Sequence, residues 1–301
     1  IIAPTEPVYP DPYLSEQIKT DTTRVYGAVH LNITDGLKGI VGFNAVSLKS
    51  VGASYGVSED RSEDKVSPYV GVVYDLTPNL SLYASYSDIF NPQSTYDVNH
   101  VRLDAATGKS YEAGIKSEWF DKRLYATASV FKSEQYGLSE FVGYYPDDSD
   151  YPGQAYYAGV DTFVEGYELE VAGKVTPNWT INGGWTSLSI EDRNGDDVRT
   201  YLPRETLKLS TTYGVPQLRD LKLGAAVRWQ NEVSTVSGGF PFSQDAYSVV
   251  DLMASFRLAD HIRANLNIKN AFDQKYFGGL QWDQAFYAAP TSYMLTLDYT
   301  F

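Results

Sequence analysis

The chain has no cysteine, and of its 301 residues only 2 are Met and 3 are His. Disulfide and thiolate chemistry are excluded, and His30, His100 and His261 are too far apart for a zinc-type spacing. Basic residues are scarce as well: 24 Lys and Arg face 38 Asp and Glu, for a formal net charge of -14 and a pI near 4.6. Such a balance rules out a nucleic-acid partner, because phosphate binding needs a basic face that releases counterions. No run of about 18 apolar residues occurs, so no transmembrane helix is expected. The opening IIAPTEPVYPDPYLSEQ has no initiator Met, basic n-region or apolar h-region. No signal peptide is visible there, and Ile1 is not expected to be the natural start.

What the chain has in quantity is tyrosine: 25 Tyr, beside 13 Phe and 5 Trp. This favours strands and boundaries between water and apolar surroundings over packed helical cores. The pattern has a period of two. In the closing TSYMLTLDYTF, Tyr293, Leu295, Leu297, Tyr299 and Phe301 alternate with Ser292, Thr296, Asp298 and Thr300, Met294 being the one exception. Leu221, Leu223, Ala225, Val227 and Trp229 alternate in the same way with Lys222, Gly224, Arg228 and Gln230. A mean hydropathy of -0.31 is compatible with a membrane barrel, whose strands show only one apolar face.

Alternation alone does not separate a soluble sandwich from a transmembrane barrel; the connections do. Short links recur at Thr34-Asp35-Gly36, Thr77-Pro78-Asn79, Asp121-Lys122-Arg123, Thr176-Pro177-Asn178, Gln217-Leu218-Arg219-Asp220 and Ala259-Asp260-His261. Each carries turn chemistry. Between them lie long connections, at roughly 49–65, 87–109, 133–160, 190–204, 230–246 and 275–291. Short periplasmic turns alternating with long external loops are the mark of an outer-membrane barrel. Trp119 and Trp179 flank two of the short turns, where an aromatic girdle meets the headgroups.

About thirteen strands are predicted: roughly 22–34, 37–50, 66–76, 79–89, 109–120, 123–134, 161–175, 178–190, 204–214, 220–231, 246–258, 261–274 and 291–301. Residues 1–21 are expected to form an external, incoming segment, and 22–301 a β-meander. The fold class is thus an all-β, transmembrane antiparallel β-barrel, with 1–301 forming part of one barrel domain. Bacterial single-chain barrels have an even strand number, and unpaired edges in lipid cost several kcal/mol per backbone group, so further strands are expected outside these residues.

Several segments carry a family resemblance. They are LSLYASYSDIFNPQS at 80–94, LDAATGKSYEAGIKSEWFDKRLYATASVFKSEQ at 103–135, GYELEVAGKVTPNWTINGGWT at 166–186, YLPRETLKLSTTY at 201–213 and VDLMASFRLADHIRANLNIKNAFDQKYF at 250–277. In order and spacing these resemble the TonB-dependent siderophore-receptor family. The resemblance implies a twenty-two-stranded barrel, plugged by an N-terminal globular domain, of which this chain holds the C-terminal strands. It also implies a bacterial outer-membrane location, uptake of a ferric siderophore, and energy relayed from the TonB complex through the absent N-terminal region. The strand ending in Phe301 resembles the signal read by the barrel-assembly machinery. Outer-membrane lipid and lipopolysaccharide would surround the wall.

Candidate ligand contacts are aromatic. The longest loop combines Tyr136, Phe141, Tyr144, Tyr145, Tyr151, Tyr156 and Tyr157 with five acids and no Lys or Arg. Rings on an external loop can grip the faces of a metal chelate at low entropic cost, or can simply pack the loop on itself. In receptors that this sequence resembles, aromatic groups at the mouth help to hold the siderophore. That selects Trp282 and Tyr287 first, with Phe286 beside them. Phe240 and Phe242 lie in GGFPF, where Gly238 and Gly239 permit a sharp turn. Acidic loops favour a neutral or cationic hydroxamate-type or mixed chelate over an anionic catecholate; the acids could equally meet divalent ions bridging lipopolysaccharide.

Little else in the sequence carries chemistry. EDRNGDD at 191–197 is similar to a calcium loop, but its Gly stands two places early, and a hairpin tip at Asn194-Gly195 fits better. There is no G-x-S-x-G element and no phosphate-cradling loop, so neither an enzyme nor a resident cofactor or metal is expected. Iron would arrive as the ferric-siderophore ligand. The competing readings are a passive porin, and a receptor of the same family for another metal chelate, haem or cobalamin.

Overall fold

A computed structural model describes residues 14–54, 56–218, 220–237, 239–281 and 285–301. Its elements are β1 (Glu16–Asn32), β2 (Leu37–Ser54), β3 (Val57–Ser58), β4 (Arg61–Thr77), β5 (Leu80–Asn91), β6 (Ala106–Trp119), β7 (Leu124–Tyr144), β8 (Ala155–Thr176), β9 (Trp179–Glu191), β10 (Glu205–Val215), β11 (Leu221–Gln230), β12 (Val233–Ser237), β13 (Phe240–Gln244), β14 (Tyr247–Ala259), β15 (Ile262–Lys269) and β16 (Ser292–Tyr299). One 14-stranded sheet runs β1-β2-β4-β5-β6-β7-β8-β9-β10-β11-β14-β15-β16, with β3 added beside β2 off this path. Each pairing along it is antiparallel. The thirteen expected strands all fall on this path and in this order, and β12 and β13 form a separate hairpin. No helix among the described residues is long and apolar enough to cross a membrane.

In the clearest strand, exposure separates the two sides of the sheet inversely to a water-soluble fold. In β4 it alternates residue by residue. Val66, Pro68, Val70, Val72, Tyr74 and Leu76 are exposed, while Lys65, Ser67, Tyr69, Gly71, Val73 and Asp75 are half-buried. The apolar side therefore faces outward and the mostly polar side faces in. Register carries this side from strand to strand: Leu82 opposes Ile115, Ile115 opposes Ala128, Ala128 opposes Leu169, Leu169 opposes Trp185, Trp185 opposes Leu207 and Leu207 opposes Trp229. On the other side Glu112, Lys116, Glu168, Glu170, Lys208 and Arg228 share the sheet with Ser, Thr and Gly. In water such an apolar belt would collapse against a partner; in hydrocarbon it is at its lowest free energy. A second sheet covering it, as a sandwich requires, is absent among the described residues.

Short turns close one end. Thr34 Oγ1 accepts the Leu37 N–H at 3.1 Å and Thr77 Oγ1 the Asn79 N–H at 3.3 Å. Phe120, Asp121 and Lys122 all take positive φ, and Arg123 Nε donates to the Phe120 carbonyl at 2.7 Å. Beside these turns Trp179 lies directly opposite Tyr213. Both Trp side chains are exposed at the sheet end, and each indole N–H finds a hydroxyl: Ser117 for Trp119 at 2.9 Å, Thr211 for Trp179 at 2.8 Å. An aromatic body with a satisfied polar tip suits the membrane boundary.

At the other end the strands run further than their alternation indicates. β7 and β8 have 21 and 22 residues, so most of the stretch 133–160 that reads as a loop is ladder, leaving only 145–154 as loop. Register shifts between Gln135 and Leu138 and between Phe141 and Gly143 explain the difference, because each bulge breaks the period of two. β1 starts at Glu16 rather than 22, its polar residues pairing along β2 from Glu16 with Ser54 onward; backbone pairing needs no apolar alternation. Residues 1–13 of the expected incoming segment lie outside the described residues. β15 ends at Lys269 rather than 274, because Asn270 turns the chain at φ 49°.

Candidate functional site

The end bearing the long connections is organised by loops that lock into one another. Between β5 and β6, Asp97 Oδ1 accepts the backbone N–H groups of Asn99 at 2.9 Å and Val101 at 2.8 Å. The Val101 bond, more than any other contact, holds the Asp97 carboxyl below the usual carboxylate range. This turn presents His100, at φ 57°, between two rings. Its imidazole stacks on Tyr96 at 4.5 Å and 19°, and on Tyr151 of the β7–β8 loop at 3.4 Å and 8°. The Tyr145 hydroxyl donates to the Asp97 carbonyl, and the Tyr157 N–H donates to the Tyr96 carbonyl at 2.8 Å.

Tyr96 also joins a third hairpin. Its hydroxyl donates to the Ser58 carbonyl at 3.0 Å and lies 3.2 Å from Glu59 Oε1, while the Arg102 guanidinium, paired with Glu59, sits 4.9 Å above its ring. Burial is the main reason the Tyr96 hydroxyl is shifted up, and the same holds for Tyr145. Below them the buried Gln93 donates to the carbonyls of Asp104 at 2.7 Å and Gly137 at 2.8 Å, and accepts the Ser139 N–H at 2.6 Å. It thereby ties the β5–β6 connection to β7 and satisfies the Gly137 carbonyl within the β7 bulge.

The aromatic candidates fall into two groups. On the β7–β8 hairpin Tyr144 is 66% exposed and meets Phe141 edge-on at 5.1 Å; Tyr157 meets Phe141 at 6.1 Å. Tyr145, by contrast, is only 7% exposed, packed at 5.3 Å from Tyr156 and 5.7 Å from Tyr151. In the last loop Tyr287 is 72% exposed and stacked on Phe277 at 4.7 Å, and Phe286 is exposed beside it. Phe240 and Phe242 stand exposed on β13, whose turn places Gly239 at φ 82°. The Phe277 N–H donates to Gln244 Oε1 at 2.8 Å, joining that hairpin to the last loop. Trp282 and Gly238 lie outside the described residues. No ring contact connects the two groups among the described residues.

Sequence reasoning missed His100, Gln93 and Asn270. Spacing in the sequence speaks only to a histidine as a metal ligand, and ring stacking leaves no spacing to find. Asn270 is buried: its N–H donates to Asp251 Oδ1 at 2.9 Å, its Oδ1 accepts the Gln274 N–H at 2.8 Å, and its Nδ2 donates to the Gln274 carbonyl at 2.9 Å. The EDRNGDD segment is a hairpin tip. Asp192 Oδ1 takes the N–H groups of Asn194 at 2.8 Å and Asp196 at 3.0 Å, with Gly195 at φ 84°, and these bonds, that of Asp196 foremost, lower the Asp192 carboxyl's pKa. No group of His, Asp or Glu among the described residues is placed to hold a metal ion.

An antiparallel sheet with an apolar outward side, girdle residues by its short turns and ring-bearing loops opposite is an outer-membrane β-barrel wall. A family model for the TonB-dependent receptor-like β-barrel matches residues 2–271, and the chain belongs to that family. It is 33% identical over 301 residues to the ferric-pyoverdine 358 receptor of Pseudomonas putida, covering 96% of this chain and 36% of the relative. To the ferripyoverdine receptor of Pseudomonas aeruginosa it is 32% identical, over 97% of this chain and 37% of the relative. The solved structure of that outer-membrane receptor bound to ferripyoverdine superposes with a TM-score of 0.83 at 31% identity, over 94% of this chain and 39% of the other. The alcaligin outer-membrane receptor of Bordetella pertussis gives a TM-score of 0.67 at 30% identity, over 84% of this chain and 43% of the other. The chain thus spans just over a third of the length of the curated relatives it matches.

Proposed function

We propose that this chain supplies part of the barrel wall and the outer loops of a receptor that captures a ferric siderophore at the cell surface and imports it with energy relayed by the TonB complex. The observation that carries this reading is the set of exposed rings, Tyr144, Phe240, Phe242, Phe286 and Tyr287, on the loop end of a sheet whose other exposed surface is a lipid-facing belt. Tyr145, Tyr156 and Tyr157 shape the same end from within, and Trp282 belongs to the same loop as Tyr287. In this reading 1–301 is one part of a twenty-two-stranded barrel with a plug and a TonB-contacting segment encoded elsewhere in the protein. Lipopolysaccharide surrounds the wall, and the strand ending at Phe301 engages the assembly machinery.

The similarity to receptors named for ferric pyoverdine supports a ligand of that type. So does the acidity of the β7–β8 loop, which disfavours a strongly anionic chelate. The test uses the full-length receptor in detergent, titrated with ferripyoverdine while tryptophan fluorescence is followed, beside a liposome-swelling assay with small sugars. Saturable quenching without sugar passage is expected. Free sugar passage without chelate binding would favour the porin, and quenching only by haem or cobalamin would favour a different ligand in the same family.

A further inference from the structure

The register brings a row of cations onto the inner side of the wall at its short-turn end. Lys174 on β8 lies opposite Thr180, which lies opposite Thr212. Thr212 opposes Gly224, two residues from Lys222 on β11. Lys222 in turn opposes Ser255, and Ser255 opposes Asn265, two residues from Arg263. Lys174, Lys222 and Arg263 line a cavity of about 360 Å³, with Thr180, Thr212 and Gly214 between them and Asp220 as the one carboxylate of its described lining. That carboxylate is already taken: the Arg257 guanidinium pairs with it, and Arg263 reaches it only at 4.0 Å. Asp298, opposite Arg263, accepts the Asn265 amide at 2.6 Å. The Lys174 and Lys222 ammonium groups have no partner among the described residues. Elsewhere on the inner side Lys38 pairs with Asp75 at 2.8 Å, Lys269 pairs with Asp251 at 3.1 Å, and Lys116 lies 4.2 Å over the Tyr83 ring.

Across six strands spaced about 4.8 Å apart the row runs roughly 24 Å. A single small anion cannot touch both of its ends, whereas an extended peptide presents every second side chain, about 7 Å apart, to the same surface. The positive surplus is local, in a chain whose formal net charge is -14. Cations that face open water cost little, but a body filling the lumen would strip that water, and ammonium groups left beneath it would be costly unless carboxylates met them. We propose that this trough docks an acidic, extended segment of the receptor's own interior domain, whose carboxylates pair with Lys174, Lys222 and Arg263 and latch the short-turn end of that domain to the wall until transport displaces it. The inference rests on the plugged-receptor reading above, and adds which residues of this wall hold the plug and what charge its facing segment carries.

The test uses the full-length receptor in outer-membrane vesicles, treated with a water-soluble carbodiimide that condenses a lysine amine with a touching carboxylate, and the linked peptides are read by mass spectrometry. Lys174 or Lys222 is expected to be joined to an Asp or Glu of the interior domain. In planar bilayers, the urea concentration at which the plugged receptor begins to conduct is expected to fall in the Lys174→Gln/Lys222→Gln double variant. About 1 M salt should lower it in the wild type and leave the variant little changed, because screening removes what the variant already lacks. Links from these lysines only to residues within 1–301 or to a separate periplasmic protein, or an unchanged urea threshold in the double variant, would overturn the latch. So would a melting temperature raised by inorganic phosphate in the wild type alone without such links, which would make the trough a site for a free anion. Conduction by the wild-type receptor without urea would overturn the plugged reading as well.

Discussion

The backbone N–H of Asn270 donates to the Asp251 carboxylate, 19 residues earlier in the chain, at 2.9 Å. Through this bond the inner side of β14 fixes the start of the last loop, and Asn270 then holds the loop's return through Gln274 and the Ala289 carbonyl at 3.3 Å. Replacing Asn270 by Ala removes buried hydrogen bonds worth about 1–3 kcal/mol in total. The expected result is faster proteolysis within 271–291 with the barrel itself intact; cleavage at the wild-type rate would show that Asn270 does not organise the loop.

The two sides of the wall should differ sharply in their tolerance of charge. Val130 faces outward on β7 and is exposed, whereas Thr127 faces inward, opposite Glu170. Val130→Arg is expected to destabilise the refolded barrel by about 2–4 kcal/mol if it sits near the bilayer midplane. Thr127→Arg would stand between the Glu170 carboxylate and the like-charged Lys116 on the polar inner side, and should change stability by less than about 1 kcal/mol. Urea unfolding in phospholipid vesicles measures both, and equal losses would contradict the assigned orientation.

Acid should loosen the clasp around His100. The Asp97 carboxyl titrates lower in the folded loop than in the unfolded chain, so its contribution is present above the unfolded pKa near 4 and is lost as pH falls through the folded value. Amide exchange of the Asn99 and Val101 N–H groups should therefore show constant protection from neutral pH to about pH 4, and falling protection below. Asp97→Ala should remove that protection at neutral pH as well.

His100 sandwiched between Tyr96 and Tyr151 joins two loops by ring contacts, each worth about 0.5–1.5 kcal/mol. His100→Ala is expected to speed proteolysis at 145–154, and Tyr151→Ala to add little in the double variant because the two act as one unit. Additive effects would mean that the rings act separately.

For ligand capture, Trp282→Ala and Tyr287→Ala are each expected to weaken ferripyoverdine binding several-fold by tryptophan quenching, since aromatic anchors carry much of such contact energy. Unchanged affinity in either variant removes that residue from the site.

Where side-chain chemistry alternates nearly throughout, as in β4 and, Met294 apart, in β16, the sequence discloses both the strand and its lipid side, because the solvent imposes the alternation directly. It fails at the bulges of β7, where an extra residue moves the pattern onto the other side, and at β1, whose polar start is held by the β2 backbone alone. β12 and β13 were hidden for a similar reason: five-residue strands carrying Pro241 and Phe242 look like a loop. Of the candidate site, the exposed rings were legible as composition. Their grouping was not, because it depends on contacts such as Tyr145 with Asp97, 48 residues apart.

The lengths of β7 and β8 carry a consequence for the placing of the hairpin tip. Twenty-two residues of strand reach roughly 70 Å, while about 9–11 suffice to cross the hydrocarbon. The surplus forms a stiff hairpin whose tip is held by a stacked imidazole instead of a floppy linker. A hairpin of this length and stiffness holds Tyr144 and Tyr151 well beyond the point where a membrane-crossing strand would end.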